Sequence, residues 1–277
     1  MSMAAKRVKR VFESMTGLFI HRFGRRQPPS IPGYSAPAPD IKTLSTGFRL
    51  LDNALGRSGL PYNRITELMG PGGPTSQYGT IYIAAGIASK VQRKQENVTI
   101  IDMSHCFDVW QAERCGLIAP HLLVSRPETV FDTLTILENT HHRPGLIIVV
   151  MGSTLELFSQ ASHDLRRILL GRLRHIVRQS GSIFLFLTVA QKNDPFSPTN
   201  HPAGFPLSEL ADVRLWIQDE TATHKNGMIA TYKATLAVIK NNLAPAGKGA
   251  DVRIKFTDLD PSPSDQPGRE ARPILSR

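Results

Sequence analysis

Residues 145–189 read GLIIVVMGSTLELFSQASHDLRRILLGRLRHIVRQSGSIFLFLTV. Leu146–Met151 is an unbroken apolar run of strand length, without the polar alternation of a half-solvated strand, so both of its faces must be covered. The period then changes. Across Ser162–Gln179, Leu165, Ile168, Leu169, Leu173, Ile176 and Val177 recur at spacings of three and four and share one helical face. Arg166, Arg167, Arg172, Arg174 and Arg178 lie along or beside the other side, as a solvated face or as a stripe that tracks phosphates. Ser182–Val189 is again a buried strand. Two doubly covered strands joined by a long amphipathic helix make a parallel pair with a crossover.

The same alternation extends towards the N-terminus. Arg64–Met69, Val98–Asp102 and Leu122–Ser125 read as strands, and Thr80–Lys94, Val109–Cys115 and Val130–Thr140 as the helices between and after them. Beyond residue 210 the pattern turns to strands alone, at Val213–Gln218, Ile229–Lys240 and Asp251–Thr257, which suit antiparallel additions at a sheet edge. The expected fold class is therefore α/β, a central and mostly parallel sheet with helices on both faces.

Charge is unevenly placed. The chain has 277 residues and a net charge of +10, of which residues 1–43 carry +6. Lys6, Arg7, Lys9, Arg10, Arg22, Arg25, Arg26 and Lys42 stand there against Glu13 and Asp40. Residues 5–24 fit a basic amphipathic helix, with Val8, Val11, Phe12, Met15, Phe19 and Ile20 on one face and Gly17 as its weak point. Such an arm can dock on a neighbouring protein, lie on a membrane or touch DNA. Residues 27–39 hold five prolines and read as an extended linker. The expected organisation is an arm over 1–26, a linker over 27–43, a core over 44–257 and a Pro- and Ser-rich disordered tail over 258–277.

Other classes find no support. No apolar run approaches the ~18 residues of a membrane helix, and no apolar stretch with a cleavage site marks a secretory signal. Cys106 and Cys115 show neither CxxC nor metal-ligand spacing and are expected to be buried free thiols. His141-His142 reads as a solvated helix end.

The series Leu44-Ser45-Thr46-Gly47, Leu51-Asp52, Ala54-Leu55-Gly56, Gly59-Leu60-Pro61, Arg64-Ile65, Glu67 and Gly70-Pro71 resembles the approach to the phosphate loop in the RecA recombinase family. Ile101-Asp102, His105, Asp108 and Gly116-Leu117 are similar to the next strand and helix of that family, and Leu122–Thr129 to the strand and turn after them. Val213-Arg214-Leu215 and Val238-Ile239-Lys240-Asn241 resemble two late strands. The order is kept over residues 44–257, and the shortened ImuA-type proteins share the outline. The resemblance implies a RecA-type P-loop NTPase core.

It also implies where nucleotide chemistry belongs, and the residues there are the wrong ones. The loop is Gly70-Pro71-Gly72-Gly73-Pro74-Thr75-Ser76-Gln77, in which Thr75-Ser76-Gln77 replace the family's GKT or GKS. There is no lysine between Lys42 and Lys90, so no shift of alignment supplies the cation for the β- and γ-phosphates. The metal-supporting acid falls at Met151-Gly152, the water-orienting carboxylate at Ser104, the γ-phosphate sensor at Val189 and the adenine-stacking aromatic at Gln111, beside Trp110. Together these replacements remove charge stabilisation, metal placement and water activation. No catalytic residue, metal or cofactor is expected from them.

The resemblance also places DNA contacts. The interval Gly152–Ala161 is too short for the family's first DNA loop. The second, Ala190–Gly204, offers Lys192 to phosphates and Phe196 to bases. Lys240 matches one of a cationic pair that reads a neighbour's nucleotide, and Asn242 replaces the other. The expected function is a non-hydrolytic DNA repair and recombination accessory, cytoplasmic and nucleoid-associated. Its expected partners are DNA, single-stranded above all, and a RecA-family recombinase or a repair polymerase, with a homo-oligomer open. An ImuA-type adaptor without DNA affinity and a weak ATPase with a rewired site are the alternatives.

Overall fold

The computed structural model describes residues 41–71, 76–140, 143–152, 163–190, 195–196 and 207–258. Its elements are β1 (Thr43–Leu44), α1 (Arg49–Leu55), β2 (Leu60–Pro61), β3 (Ile65–Gly70), α2 (Ser76–Gln92), β4 (Asn97–Asp102), α3 (Val109–Arg114), β5 (Leu122–Ser125), α4 (Val130–Asn139), β6 (Gly145–Gly152), α5 (His163–Gln179), β7 (Ile183–Val189), α6 (Leu207–Leu210), β8 (Val213–Lys225), β9 (Met228–Asn241) and β10 (Gly249–Lys255). A 3-10 turn over Ala119–His121 leads into β5. The arm, the linker up to Asp40, His141-His142 and the tail from residue 259 lie outside the described residues.

Eight strands form one sheet in the order β10-β9-β8-β3-β7-β6-β4-β5. From β5 to β8 all neighbours are parallel; β9 and β10 add antiparallel to β8. The apolar run of β6 explains itself at once. Leu146, Ile148 and Val150 face one core with Ile183, Leu185 and Leu187 of β7. Ile147, Val149 and Met151 face the other with Phe184 and Phe186. Residues of α1, α2 and α3 fill the first core, and residues of α4, α5 and α6 the second. Each core strand thus buries both sides, which only a sheet sandwiched between helices allows.

Several features depart from the expectations. Ile168 sits on α5 but is 63% exposed, so the buried seam of that helix is Leu169, Leu173, Ile176 and Val177. Cys115 is buried but Cys106 only half-buried, and both are free. Helix α1 and the small β1–β2 pair have no counterpart in the periodicity reading. Asp52 builds their entry: it accepts Thr46 N–H at 2.9 Å, Thr46 Oγ1 at 2.7 Å and Ser45 Oγ at 2.6 Å. Gly59 closes against it with φ +150°, where a Cβ would stand 2.1 Å from the Leu44 carbonyl oxygen. Helix α2 begins at Ser76 rather than Thr80. Strand β8 runs seven residues past Gln218, because Asn226 and Gly227 take φ 53° and 77° and turn the chain tightly into β9.

Candidate functional site

In an open parallel sheet ligands bind beyond the carboxyl ends of the strands. Here that edge gathers Gly70-Pro71 after β3, Asp102 after β4, Met151-Gly152 of β6 and Val189-Ala190 after β7. Ala190 N–H donates to the Gly70 carbonyl at 3.0 Å and ties two of these exits together. Gly72, Gly73 and Thr75 lie outside the described residues, and Ser76 and Gln77 open α2. Residues 65–89, which span β3, the loop and most of α2, contain no Lys, Arg or His; their one charged residue is Glu67.

The first turn of α2 meets an acid of the chain itself. A Cβ on Gly79 would lie 2.4 Å from both Glu220 Oε2 and Tyr232 Oη, so only glycine admits that approach. Tyr232 Oη donates to Glu220 Oε2 at 2.5 Å. Burial, then this hydrogen bond, hold the phenol far above the ordinary tyrosine range. Tyr82 packs edge-on against Tyr232 and Phe256, and burial raises its phenol too. Tyr78 stacks on Tyr82 and is half exposed. The start of a helix favours an anion, and Glu220 places one beside it.

At the end of β4, Asp102 is fully buried and spends its carboxylate on its own turn. It accepts Ser104 Oγ at 3.2 Å, Cys106 N–H at 3.2 Å and Phe107 N–H at 3.0 Å, and pairs with Arg126 Nε at 3.3 Å. Asp108 caps α3 by accepting Trp110 N–H and Gln111 N–H. His105 is exposed, in a left-handed conformation. Thus Asp102, His105 and Asp108 shape a loop. Met151 is buried among Ile101, Phe184 and Phe186.

Trp110 and Gln111 are drawn in by Arg114, which is 1% exposed. Its guanidinium lies 5.1 Å from the Trp110 ring centre and 5.3 Å from that of Phe256. It donates to the carbonyls of Ile229 at 2.7 Å and Thr257 at 3.2 Å and to Gln111 Oε1 at 3.3 Å. Trp110 Nε1 is buried without a hydrogen-bond partner among the described residues.

A second buried charge lies across β3, β7 and β8. Glu67 accepts Arg214 Nε at 2.6 Å and Thr188 Oγ1 at 2.8 Å. Arg214 Nη2 also reaches the Pro195 carbonyl at 3.5 Å, in the loop that carries Phe196. Phe196 is 40% exposed; Lys192 lies outside the described residues. Lys240 does not project freely: its Nζ donates to the Ser208 carbonyl at 2.9 Å, and burial lowers its pKa. Lys6, Arg7, Lys9, Arg10, Arg22, Arg25 and Arg26 lie outside the described residues; of the arginine stripe on α5, Arg174 and Arg178 are exposed while Arg172 pairs with Glu138. The sequence reading missed the Glu67–Arg214 pair; its signal was an acid inside ITELMG and a base inside VRLWI.

No group of three His, Cys, Asp or Glu among the described residues is placed to hold a metal. No helix among them is long and apolar enough to cross a membrane.

The model of the RecA N-terminal domain family matches residues 30–259 of this chain. Protein RecA of Chlorobium limicola is 27% identical over 242 residues, covering 81% of this chain and 67% of that protein. Protein RecA of Thermus thermophilus is 29% identical over 245 residues, with 81% and 70% covered. That of Helicobacter acinonychis is 28% identical over 272 residues, with 92% and 74% covered.

Proposed function

The chain belongs to the RecA N-terminal domain family, and from that premise we propose that it serves recombination and repair by occupying DNA or a partner, without turning over ATP. One observation carries the reading: residues 65–89 contain no cation at all, where a phosphate loop and its helix need one. Phosphoryl transfer depends on neutralising charge that builds on the phosphate oxygens, and backbone N–H groups alone leave most of it unmet. The neighbouring residues support the same reading. Met151 is apolar and buried where an acid would organise magnesium, and Ser104 lacks the carboxylate that would orient water. Glu220, beside the first turn of α2, adds a negative charge near the place a phosphate would occupy.

Binding to DNA rests on the basic arm and on the loop of Lys192 and Phe196. A RecA-family recombinase or a repair polymerase is the partner that fits a core without turnover. Two measurements test the reading: phosphate release from ATP with and without single-stranded DNA, and DNA affinity as a function of salt. Turnover that a loop substitution abolishes would make the protein an ATPase. Absent DNA affinity would leave the adaptor role.

A further inference from the structure

The outer face of β8, β9 and β10 carries two adjacent rows of opposite charge. In one row Asp219, Thr235 and Asp251 stand side by side; in the next, Thr221, Lys233 and Arg253 do. Both acids and both bases are exposed, while Ala234, Leu236 and Val252 on the inner side are buried under α1 and α2. Lys233 and Arg253 are direct cross-strand neighbours, an arrangement that repels. Asp251 accepts Thr235 Oγ1 at 2.9 Å, yet none of the ion pairs among the described residues involves these four charges. Asp219, Thr221, Lys233, Thr235, Asp251 and Arg253 all line one groove of about 460 Å³.

Two rows of opposite sign on one face are complementary to themselves. A two-fold axis lying between two facing sheets, perpendicular to the strands and midway between the rows, sets each row against the other row of the second copy. We propose that this face binds a second copy of the chain in that way. Asp251 then meets Arg253 of the second copy, and Arg253 meets its Asp251, as an isologous contact requires. Asp219 comes against Thr221 of the second copy, beside its Lys233. Strands about 4.8 Å apart, rising about 3.4 Å per residue over the seven residues of β10, give a footprint of roughly 350 Å² per copy. Stable interfaces bury about 800 Å² per partner, so this contact is weak, reversible and sensitive to salt.

The test is the mass of the full chain by light scattering over a range of concentrations, at low and high salt. Asp251→Arg and Arg253→Asp are each expected to weaken self-association at least about tenfold at low salt, because each sets like charges at 251 and 253 against one another across the axis. A one-to-one mixture of the two variants is expected to restore it, since each chain offers the charge the other lacks. The double exchange D251R/R253D in one chain is expected to associate like the wild type. Thermal melting checks that each variant is folded. Unchanged association in both single variants, or no recovery in either the mixture or the folded double exchange, overturns the proposal. Lost nucleic-acid affinity in Arg253→Asp at unchanged mass also overturns it and gives the face to a polyanion.

Discussion

Arg214 donates its Nε to Glu67 Oε2 at 2.6 Å with the acid fully out of water and the base nearly so. The two residues sit on adjacent parallel strands, directly paired in register. Both are held in the middle of an otherwise apolar sheet, and Thr188 from the strand on the other side also donates to the acid. A buried pair is costly to assemble and far more costly to break.

Glu67→Leu should therefore lower unfolding free energy by about 3–5 kcal/mol, because it strands the guanidinium. Arg214→Leu should cost a similar amount. The double replacement Glu67→Leu/Arg214→Leu should cost much less than the sum. Denaturant midpoints of the four proteins give the coupling directly. Additive losses would show that the two charges act independently.

The nucleotide loop gives the second prediction. Ser76→Lys should leave phosphate release at background, because Met151 and Ser104 still lack the carboxylates that a lysine cannot replace. An end-point assay with and without single-stranded DNA checks it. A rise in turnover in the single variant would show that another residue supplies magnesium and water.

Cys115 predicts an alkaline limb. Burial pushes its thiol from the ordinary value near 9 up to about 12. The folded chain therefore holds a proton that the unfolded chain gives up. That contribution is whole below pH 9 and is lost as the pH climbs towards 12, at up to about 1.4 kcal/mol per unit. Tyr82 and Tyr232, also raised by burial, act in the same direction from their own ordinary range upward. Cys115→Ala should flatten the fall in denaturant midpoint between pH 9 and 11 without removing the tyrosine part. An identical limb in wild type and variant would mean that the thiol ionises freely in the fold.

The core of the sheet was legible because its information is local. Leu146–Met151 can satisfy its apolar side chains only between two helical layers, and Leu122–Ser125 ends where its run ends. Helix α1 is seven residues with Asp52 and Asn53 inside it, so no periodicity announces it; Asp52 acts through Ser45 and Thr46 instead. Pairing of Glu67 with Arg214 spans 147 positions and depends on strand order, which no window of sequence contains. The same holds for Arg114, whose partners at Ile229 and Thr257 come from the far end of the chain. At the candidate site the absence of Lys, Arg and His from residues 65–89 was legible as residue types. The approach of Glu220 to Gly79 was not, because it needs the long β8–β9 hairpin folded over α2.

The arm supplies the last prediction. Residues 1–43 hold six of the ten net charges, joined to the core through prolines. If the arm grips phosphates, each contact releases about one counterion, and log affinity falls with log salt by ~0.7 per contact on single strands and ~0.9 on duplex. Deleting residues 1–39 should then flatten the slope and weaken binding to every DNA sequence alike, because phosphate contacts carry no base information. Arg22→Ala, Arg25→Ala and Arg26→Ala together should remove up to three contacts' worth of slope, while Phe12→Ala and Phe19→Ala leave it unchanged. A helix that docks on a neighbouring protomer reverses this order. Val11, Phe12 and Phe19 would then govern the particle mass, and the arginines would matter little. Fluorescence anisotropy at several salt concentrations, run beside light scattering on the same variants, separates the two. An unchanged salt slope on truncation, together with a fall in particle mass, would give the arm to assembly rather than to DNA.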